Sequence, residues 1–465
     1  MLRYLKIINK WTLLFPLCLA MLLIGLSIFS GFARALSLTE AYALALQNDP
    51  TFQMAIKEWE AGREEKNLGL AELLPKLSFS YQNGPKNWQK MESHSVNRLG
   101  KRIKENSEQQ YNSYSSAIIL TQPLIDFEAW ARYQIRQSYA LMSDARFRAD
   151  SQQLAVRVVN SYIAVAYAQD RLAQITQQRV AYEEQLKQNQ KLFSSGEGTR
   201  TDVAETQTRY SQVFADELTV KDELDAAIRD LQLLVGIPLL TDLPVNRLSG
   251  APEFKIIKLD LTHYTDWEQL ALRHNPQLVA TRQKIEAAHH DIERNRSGFL
   301  PKVELYASHN QNKSSSDNSI DQKYRTNSVG LRVSMNLYNG GGTSAALRQS
   351  VANHGKTMYE MDVESGNILN SLRKNYNVCI NGEKRIQAYE IGVKAALLQV
   401  DATRKSVMLG QRVNVDILNA EQLLHTARQG LSQAKYDYIK AWIGLLNESG
   451  QLNDEHIKLI THYFG

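Results

Sequence analysis

The stretch from Asp126 to Gly196 limits the possible folds more than any other part of the chain. It is 71 residues long, contains no proline, and has no glycine before its last residue. Within it, apolar or small residues return at steps of three and four, the spacing of one helix face. They are Leu154, Val158, Ser161, Val165, Ala168, Leu172, Ile175, Tyr182, Leu186 and Phe193, while Arg179 and Asn189 hold polar positions of the series. We predict one unbroken helix, roughly 105 Å long at about 1.5 Å per residue.

The segments on either side match this long helix in length. Leu38–Leu73 is predicted as a helix of 36 residues and Thr201–Val235 as one of 35 residues. Laid end to end, the two short helices equal the long one. The glycine-containing turn Ser194–Gly198 would reverse the chain between the long helix and the second short one.

The sequence contains an internal repeat. Asn48-Asp49-Pro50 corresponds to His274-Asn275-Pro276, and Leu74-Pro75-Lys76 corresponds to Leu300-Pro301-Lys302. The glycine at 196 and the Thr-Asp-Val that follows it return as Gly410 and Val-Asp-Ile, 214 residues later. A repeat at a fixed interval indicates a duplicated architecture. We therefore predict that each copy is built from a short helix, a β-hairpin, a long helix and a second short helix.

The predicted boundaries follow from this repeat. The first copy covers 36–236, the second covers 266–450, a proline-containing linker covers 237–265, and 451–465 form a short tail with no assigned role. The second copy contains predicted helices at 266–299, 342–409 and 413–447.

Alternating apolar and polar residues predict two hairpins. The expected strands are about 77–83 and 112–122 in the first copy, and about 303–309 and 328–338 in the second, with polar loops between. The last strand alternates from Val329 to Leu337 against Gly330 to Tyr338, which matches the length and pattern of a membrane β-strand. The alternative is a pair of ordinary hairpins packed on a soluble core.

The N-terminus has the three parts of a secretory signal peptide. Met1–Lys10 is basic, Leu13–Phe32 is apolar, and Ala33-Arg34-Ala35 fits a cleavage site. We predict cleavage after Ala35, the alternative being an uncleaved membrane anchor. After cleavage Cys379 is the only cysteine left, so an intramolecular disulfide or a cysteine metal site is not expected.

The net charge gives no argument for a nucleic-acid partner. The chain has 54 Lys and Arg against 49 Asp and Glu, and four of those basic residues lie in the predicted signal peptide. The processed chain is close to neutral, without the basic excess typical of nucleic-acid binding.

Four strands are too few to close a membrane barrel, and an open sheet edge is not stable in lipid. Two copies would supply eight strands, whose interior fills with side chains, whereas three supply twelve, enough for a water-filled interior. A trimer follows if the protein is a conduit. The predicted fold is therefore mainly α with a membrane β-barrel portion. In a trimer it would form a 12-stranded barrel and a tunnel of twelve helical columns.

Several short motifs, in order and partly duplicated, resemble the TolC-type outer-membrane efflux and type I secretion channels over nearly the whole processed chain. Besides the proline motifs above, they are Ser37-Leu38-Thr39-Glu40-Ala41, Gln122-Pro123-Leu124-Ile125-Asp126, Asn336-Leu337-Tyr338-Asn339-Gly340-Gly341 and the segment Gly410 to Ala420. The resemblance implies a homotrimer in the outer membrane of a Gram-negative bacterium, in contact with outer-membrane lipid and extending into the periplasm. It also implies a periplasmic adaptor protein and an inner-membrane RND or ABC pump, and no cofactor.

The same resemblance points to the helical turns as a periplasmic gate. It implies that Arg412 bonds to Thr201 and Asp202, tying the second hairpin to the first. Asp416, repeated three times in a trimer, would form an acidic ring that favours cations. Asn419 stands where the family has a second ring carboxylate. The alternative is an ordinary surface pair of Arg412 and Asp416, four residues apart on one helix.

At a second position, Val407, the chain also departs from the family, which has a gate tyrosine there. Together with Asn419, this predicts a gate with less charge and one hydrogen bond fewer.

No enzyme site is evident in the sequence. His289-His290 lacks acidic ligands at zinc spacing, and Gly340-Gly341-Gly342 lacks the lysine of a phosphate-binding loop. The predicted function is a passive outer-membrane exit channel of a tripartite efflux pump or a type I secretion system. The alternatives are a soluble periplasmic coiled-coil adaptor or scaffold and, with no motif in support, a secreted enzyme. Drug efflux and protein secretion are not separable from the sequence.

Overall fold

The computed structural model describes residues 35–236, 245–246, 254–257, 259–314 and 320–464. The predicted signal peptide, apart from Ala35, and much of the predicted linker lie outside these residues.

The chain folds into long helices and one sheet. In chain order the helices are α1 Leu38–Asn48, α2 Pro50–Ala71, α3 Phe127–Ser195, α4 Arg200–Val235, α5 Tyr264–His274, α6 Pro276–Arg296, α7 Gly342–Met408, α8 Asn414–Glu448 and α9 Asp454–Thr461. The strands are β1 Lys76–Val96, β2 Arg102–Ile125, β3 Lys302–Lys313 and β4 Lys323–Ser334. Across the described residues, none of the helices is both long enough and apolar enough to cross a membrane.

The chain divides into two compact units. A helical unit comprises Met1–Gln53, Ser151–Glu268 and Asn370–Gly465, and a sheet unit comprises Met54–Asp150 and Gln269–Leu369.

The core of the helical unit is formed by α1, α3, α4 and α8. Its fully buried side chains include Leu154 and Tyr162 of α3, Leu231 of α4 and Leu445 of α8. The tail that the sequence left without a role packs into this core, because the ring of Phe464 meets that of Tyr162 edge-on at 5.1 Å.

Each short helix that was predicted as continuous before the hairpin is divided at a proline. Leu38–Leu73 breaks at Asp49, which has ψ 114°, and the helix starting at 266 breaks at Asn275, which has ψ 121°. The residue before a proline is driven out of the helical region by the proline ring, so the break is local and steric. Asn275 then caps α6 by accepting from the backbone N–H groups of Gln277 and Leu278 at 2.9 and 3.2 Å.

The sheet unit holds one antiparallel sheet in the order β1-β2-β3-β4. Lys76 to Val96 pairs with Thr121 to Arg102, and β3 pairs with β4 along their whole length. Only the part of β2 from Tyr114 to Ile125 has β3 as a second neighbour.

Two strand predictions need correction. The predicted polar loop between 83 and 112 is mostly strand, because β1 and β2 continue as a two-stranded ribbon held by cross-strand ion pairs. At the other end, β4 stops at Ser334, and Met335–Tyr338 lies outside the strand although its alternation continues. Gly340 and Gly341 follow with positive φ angles of 66° and 82°, which mark the bend into α7.

Candidate gate at the two helical turns

The first turn, which connects α3 to α4, is held by hydrogen bonds within its own residues. Gly196 has a φ of 80°, which a residue with a side chain rarely adopts. The backbone N–H groups of Glu197 and Gly198 donate to the carbonyl of Leu192 at 2.9 and 3.0 Å. Thr199 then caps α4 with its hydroxyl, and the carboxylate of Asp202 accepts from the Thr199 N–H at 3.2 Å and from its hydroxyl at 2.5 Å. This reciprocal capping box uses one oxygen of the Asp202 carboxylate.

The second turn, which connects α7 to α8, has a glycine at the corresponding position but a different N-cap residue. Gly410 has a φ of 71°, and the Gln411 N–H donates to the Ser406 carbonyl at 2.9 Å. The N-cap of α8 is Val413, which has no side-chain hydrogen bond to offer. Asp416, three residues later, is half-buried, and its carboxylate has no capping partner.

The structure places the five predicted gate residues at these two turns. Thr201, Arg412 and Asn419 are exposed, and Asp202 and Asp416 are half-buried. Among the described residues, the side chains of Arg412 and Asp416 make no hydrogen bond or ion pair. The bond from Arg412 to Thr201 or Asp202 is therefore not formed within one chain.

A different set of polar side chains joins the first hairpin to α8. Asn189 of α3 donates to the Thr206 hydroxyl of α4 at 2.8 Å, and Asn414 of α8 donates to the same hydroxyl at 3.1 Å. The Thr206 hydroxyl donates to the Asp202 carbonyl at 2.8 Å. Gln185 of α3 donates to the amide oxygen of Asn414 at 3.1 Å. Three helices thus meet at one buried polar cluster, Gln185, Asn189, Thr206 and Asn414.

This polar cluster is well satisfied. Thr206 is 0 % exposed, and its hydroxyl uses its one donor and both acceptor positions. Asn189 and Asn414 are 5 % and 9 % exposed. A buried amide without a hydrogen-bond partner is destabilising, because it has lost water and gained nothing in return. The cluster therefore holds these helices in one register. The sequence signal for it was Asn189, a polar residue in an otherwise apolar series.

An apolar layer lies next to the polar cluster. Ile175, Tyr182, Val213, Val220 and Leu418 form one buried group. Tyr182 is fully buried, and its hydroxyl donates to the Leu418 carbonyl at 3.4 Å. Burial raises the pKa of Tyr182 because the phenolate would lose its hydration.

Exposed polar bonds also connect the helices near this layer. Arg209 donates to Asn419 at 3.2 Å, and Gln178 donates to Gln422 at 3.2 Å. The predicted ring residue Asn419 is thus held by α4 of its own chain.

The first hairpin contains a buried carboxylate. Glu217 of α4 is 5 % exposed and contacts the Arg179 guanidinium at 2.5 Å and the Lys221 ammonium at 3.1 Å. Burial opposes ionisation of Glu217, but the hydrogen bonds and charges of Lys221 and Arg179 outweigh burial and lower its pKa. Arg179 was the other polar residue in the long apolar series.

In the described part of the chain, no group of three or more His, Cys, Asp or Glu side chains is arranged to hold a metal ion. The chemistry that the turns offer is electrostatic and steric. They present fixed charges and hydrogen-bonded links between helices that can be made or released.

The sequence matches the profile of the outer membrane efflux protein family over residues 41–237 and 267–451. The two matched regions correspond to the two copies of the repeat. The chain therefore belongs to the outer membrane efflux protein family, and the resemblance found in the sequence is confirmed.

Relatives and solved structures agree with this assignment. The alkaline protease secretion protein AprF of Pseudomonas aeruginosa is 43% identical over 93% of this chain and 88% of its own. The proteases secretion protein PrtF of Dickeya chrysanthemi is 38% identical over 96% of this chain and 94% of its own. The crystal structure of the outer membrane protein VceC from Vibrio cholerae superposes with a TM-score of 0.72 at 17% identity, over 89% of this chain and 96% of that one.

The chain is thus an outer-membrane exit channel with the fold of the outer-membrane efflux channels. The predicted class and location are confirmed, and nothing supports the soluble adaptor alternative.

Proposed function

We propose that this chain is the outer-membrane exit channel of a type I system that secretes a protein, such as a protease. The observation that carries this proposal is the identity of 43% and 38% with two protease secretion proteins over nearly the whole chain. The aligned regions cover both repeats. They therefore include the turns between the helices, where partner proteins would dock and cargo would enter.

The proposed channel is a homotrimer. In the described sheet, β1 and β4 each have one neighbour, so both edges present unpaired backbone groups. Such edges are not stable in lipid. Pairing β4 of one copy with β1 of the next, three times, closes a barrel of twelve strands that is wide enough for an aqueous path.

The proposed channel depends on partners for energy. The glycine run 340–342 lacks the lysine of a phosphate-binding loop, which the sequence would need at that place to bind a nucleotide. An inner-membrane pump of the ABC type supplies the energy for transport. A periplasmic adaptor protein connects that pump to the channel.

The proposed gate lies at the turns. Asp416, repeated by the three-fold axis, forms an acidic ring, and three like charges at short range attract cations. Arg412, which has no partner among the described residues of its own chain, reaches an acceptor such as Asp202 or Thr201 of a neighbouring copy. Asn419 and the buried polar cluster hold α8 against the first hairpin, and opening requires α8 to move away.

Complementation tests the secretion proposal. The chain would be expressed in cells that carry the transporter and adaptor of a protease-secretion system but lack its outer-membrane component. We expect protease activity to return to the medium. Outer-membrane insertion without secreted protease, together with restored drug resistance in an efflux-deficient strain, would favour efflux instead.

Planar-bilayer conductance tests the gate. The purified protein is compared with Arg412→Ser and with Arg200→Ser, which removes an exposed arginine near the first turn. We expect a small conductance that rises only in Arg412→Ser. Equal conductances in all three proteins would remove Arg412 from the gate and leave the channel in place.

A further inference from the structure

The outer half of the β1–β2 hairpin stands apart from the rest of the sheet. From Asn87↔Tyr111 to Val96↔Arg102 the two strands form ten residue pairs. In the described sheet, this part of β2 has no second neighbour, since its pairing with β3 begins at Tyr114. The two-stranded ribbon is therefore roughly 33 Å long at about 3.3 Å per residue.

A bulge marks where this ribbon begins. The register shifts between Gly84 and Asn87, and the Asn87 amide donates to the Gly84 carbonyl at 3.2 Å and to the Ser113 hydroxyl at 2.6 Å. Beyond the bulge, ion pairs join the strands, Lys90 with Glu108 at 3.4 Å and Lys104 with Glu92 at 2.9 Å. These contacts fix the ribbon's register, although two strands alone are only marginally stable in water.

The turn at the end of the ribbon is rigid and basic. The side chain of Asn97 accepts from the N–H groups of Leu99 and Lys101, both at 3.0 Å, and Gly100 has a φ of 76°. Arg98, Lys101 and Arg102 make no ion pair with any described residue. We call these three residues the basic tip.

The turn and the strand ends that flank it contain no acidic residue. Between Ser93 and Lys104 there is no Asp or Glu. At its centre Leu99 is 91 % exposed, and neighbouring Val96 is 63 % exposed. The turn thus presents three unpaired cations around two exposed apolar side chains.

The tip lies at the end of the sheet opposite to the helices of the sheet unit. The strand ends that lead to α2, α3, α6 and α7 all lie at the opposite end of the sheet. Since the helices of this outer-membrane channel extend into the periplasm, the ribbon lies on the outer side of the membrane.

We propose that the basic tip binds the phosphorylated saccharides of lipopolysaccharide in the outer leaflet. Two of its three cations are arginines, whose planar guanidinium groups recognise phosphate oxygens in pairs. Exposed Leu99 and Val96 add an apolar contact beside the cations. Packing of the ribbons of several copies against one another is disfavoured, because their tips carry like charges.

Titration with lipopolysaccharide micelles tests this proposal. The full-length protein in detergent is compared with the triple variant Arg98→Gln, Lys101→Gln, Arg102→Gln. We expect the dissociation constant to rise roughly tenfold in the variant, because three exposed charge contacts each contribute a factor of about two. The difference should shrink at high salt, where exposed charges are screened.

The matched control removes three exposed lysines elsewhere that make no ion pair, as Lys66→Gln, Lys384→Gln, Lys394→Gln. Its affinity should equal that of the unmodified protein. Heat-modifiable migration checks that both variants remain folded, and a second variant, Leu99→Ser, tests the apolar contact without changing charge.

Three results would overturn the proposal. The tip variant could bind as tightly as the control variant. The unmodified protein could bind chemically dephosphorylated lipopolysaccharide as tightly as the native form. Polyglutamate could bind the tip more tightly than lipopolysaccharide does, which would assign the tip to an acidic polypeptide such as exported cargo.

Discussion

The two helical turns are copies of one another, yet they treat the same aspartate differently. Asp202 and Asp416 stand 214 residues apart at the same helical position, and each follows a glycine turn. The first turn has Thr199 at the cap, which binds Asp202. The second has Val413, so Asp416 stays available for contacts outside its own chain. One side chain, not the aspartate itself, separates a turn whose aspartate is held in a capping box from one whose aspartate is not.

The residues buried inside the two helical hairpins also differ between the copies. Asn189, Thr206 and Glu217 of the first hairpin correspond to Thr403, Ala420 and Leu431 of the second. The second hairpin is held near its turn by the apolar group Ala396, Val400, Ala420 and Leu424. The duplicated chain therefore keeps its helix lengths, while the first hairpin buries polar contacts beside its apolar group and the second has apolar residues at two of the three corresponding positions.

Thr206→Val should have the largest effect. Valine has the same shape as threonine but leaves Asn189 and Asn414 without their shared acceptor. We expect a loss of about 2 kcal/mol in the free energy of unfolding, measured by circular dichroism in detergent. The control is Thr208→Val on the same helix, because the exposed Thr208 hydroxyl bonds only to the Ala204 carbonyl at 2.8 Å. If both variants lose the same stability, the shared cluster does not hold the hairpins.

Acid should loosen the first hairpin before the second. The pKa of Glu217 is lowered in the folded chain, burial being outweighed by Lys221 and Arg179. Its contribution to stability is present above the ordinary glutamate pKa of about 4.3 and is lost as pH falls through the lower folded value. Hydrogen exchange of peptides from 171–221 should rise below that pH, whereas peptides from 396–431 should change less.

Glu217→Gln is the control for this pH effect. The variant should show weaker protection of 171–221 at neutral pH and little further change with acid. An equal acid response in the variant and the unmodified protein would assign the effect to other carboxylates.

Replacing each of the two aspartates by alanine should have different effects. Asp202→Ala breaks the capping box and should cost about 1 kcal/mol of stability. Asp416→Ala should cost less than about 0.5 kcal/mol, as expected of a surface site, but should reduce the preference for cations. Thermal unfolding and the reversal potential in a salt gradient measure the two effects. The comparison fails if Asp202→Ala changes ion preference as much as Asp416→Ala does.

Val413→Thr should have only a small effect on stability and is the sharpest test. A hydroxyl at this cap would reproduce the first turn and draw in Asp416, adding about 0.5 kcal/mol of stability. It should also lower the cation preference of the channel, although no charge is changed. Val415→Thr, two residues later and outside the cap, should do neither.

The long helices were predictable from sequence because their apolar spacing is uninterrupted over many turns. The structure has α3 at Phe127–Ser195 and α7 at Gly342–Met408, within one residue of the expected ends. The ribbon was not predictable, because segments such as Lys86 to Ser95 lack alternation, and it depends on cross-strand ion pairs between residues 12 and 18 positions apart. Local patterns do not record such pairings.

The candidate site was only partly visible in the sequence. The turns and their charged residues could be placed by the repeat and by resemblance. The partners of Asn189 and Arg179 could not, because Thr206, Asn414 and Glu217 look like ordinary surface residues of their helices. They become buried only when three helices pack together. The role of Arg412 in the gate remains a prediction.

The unpaired edges of β1 and β4 also constrain how this protein is made. A single exported copy cannot enter the hydrocarbon layer and wait there for others, because two rows of backbone groups would face lipid without partners. Insertion must therefore accompany assembly, and the exported chain has to be kept in solution until copies meet. The rate at which mature protein accumulates in the membrane should then rise more steeply than in proportion to the supply of new chains.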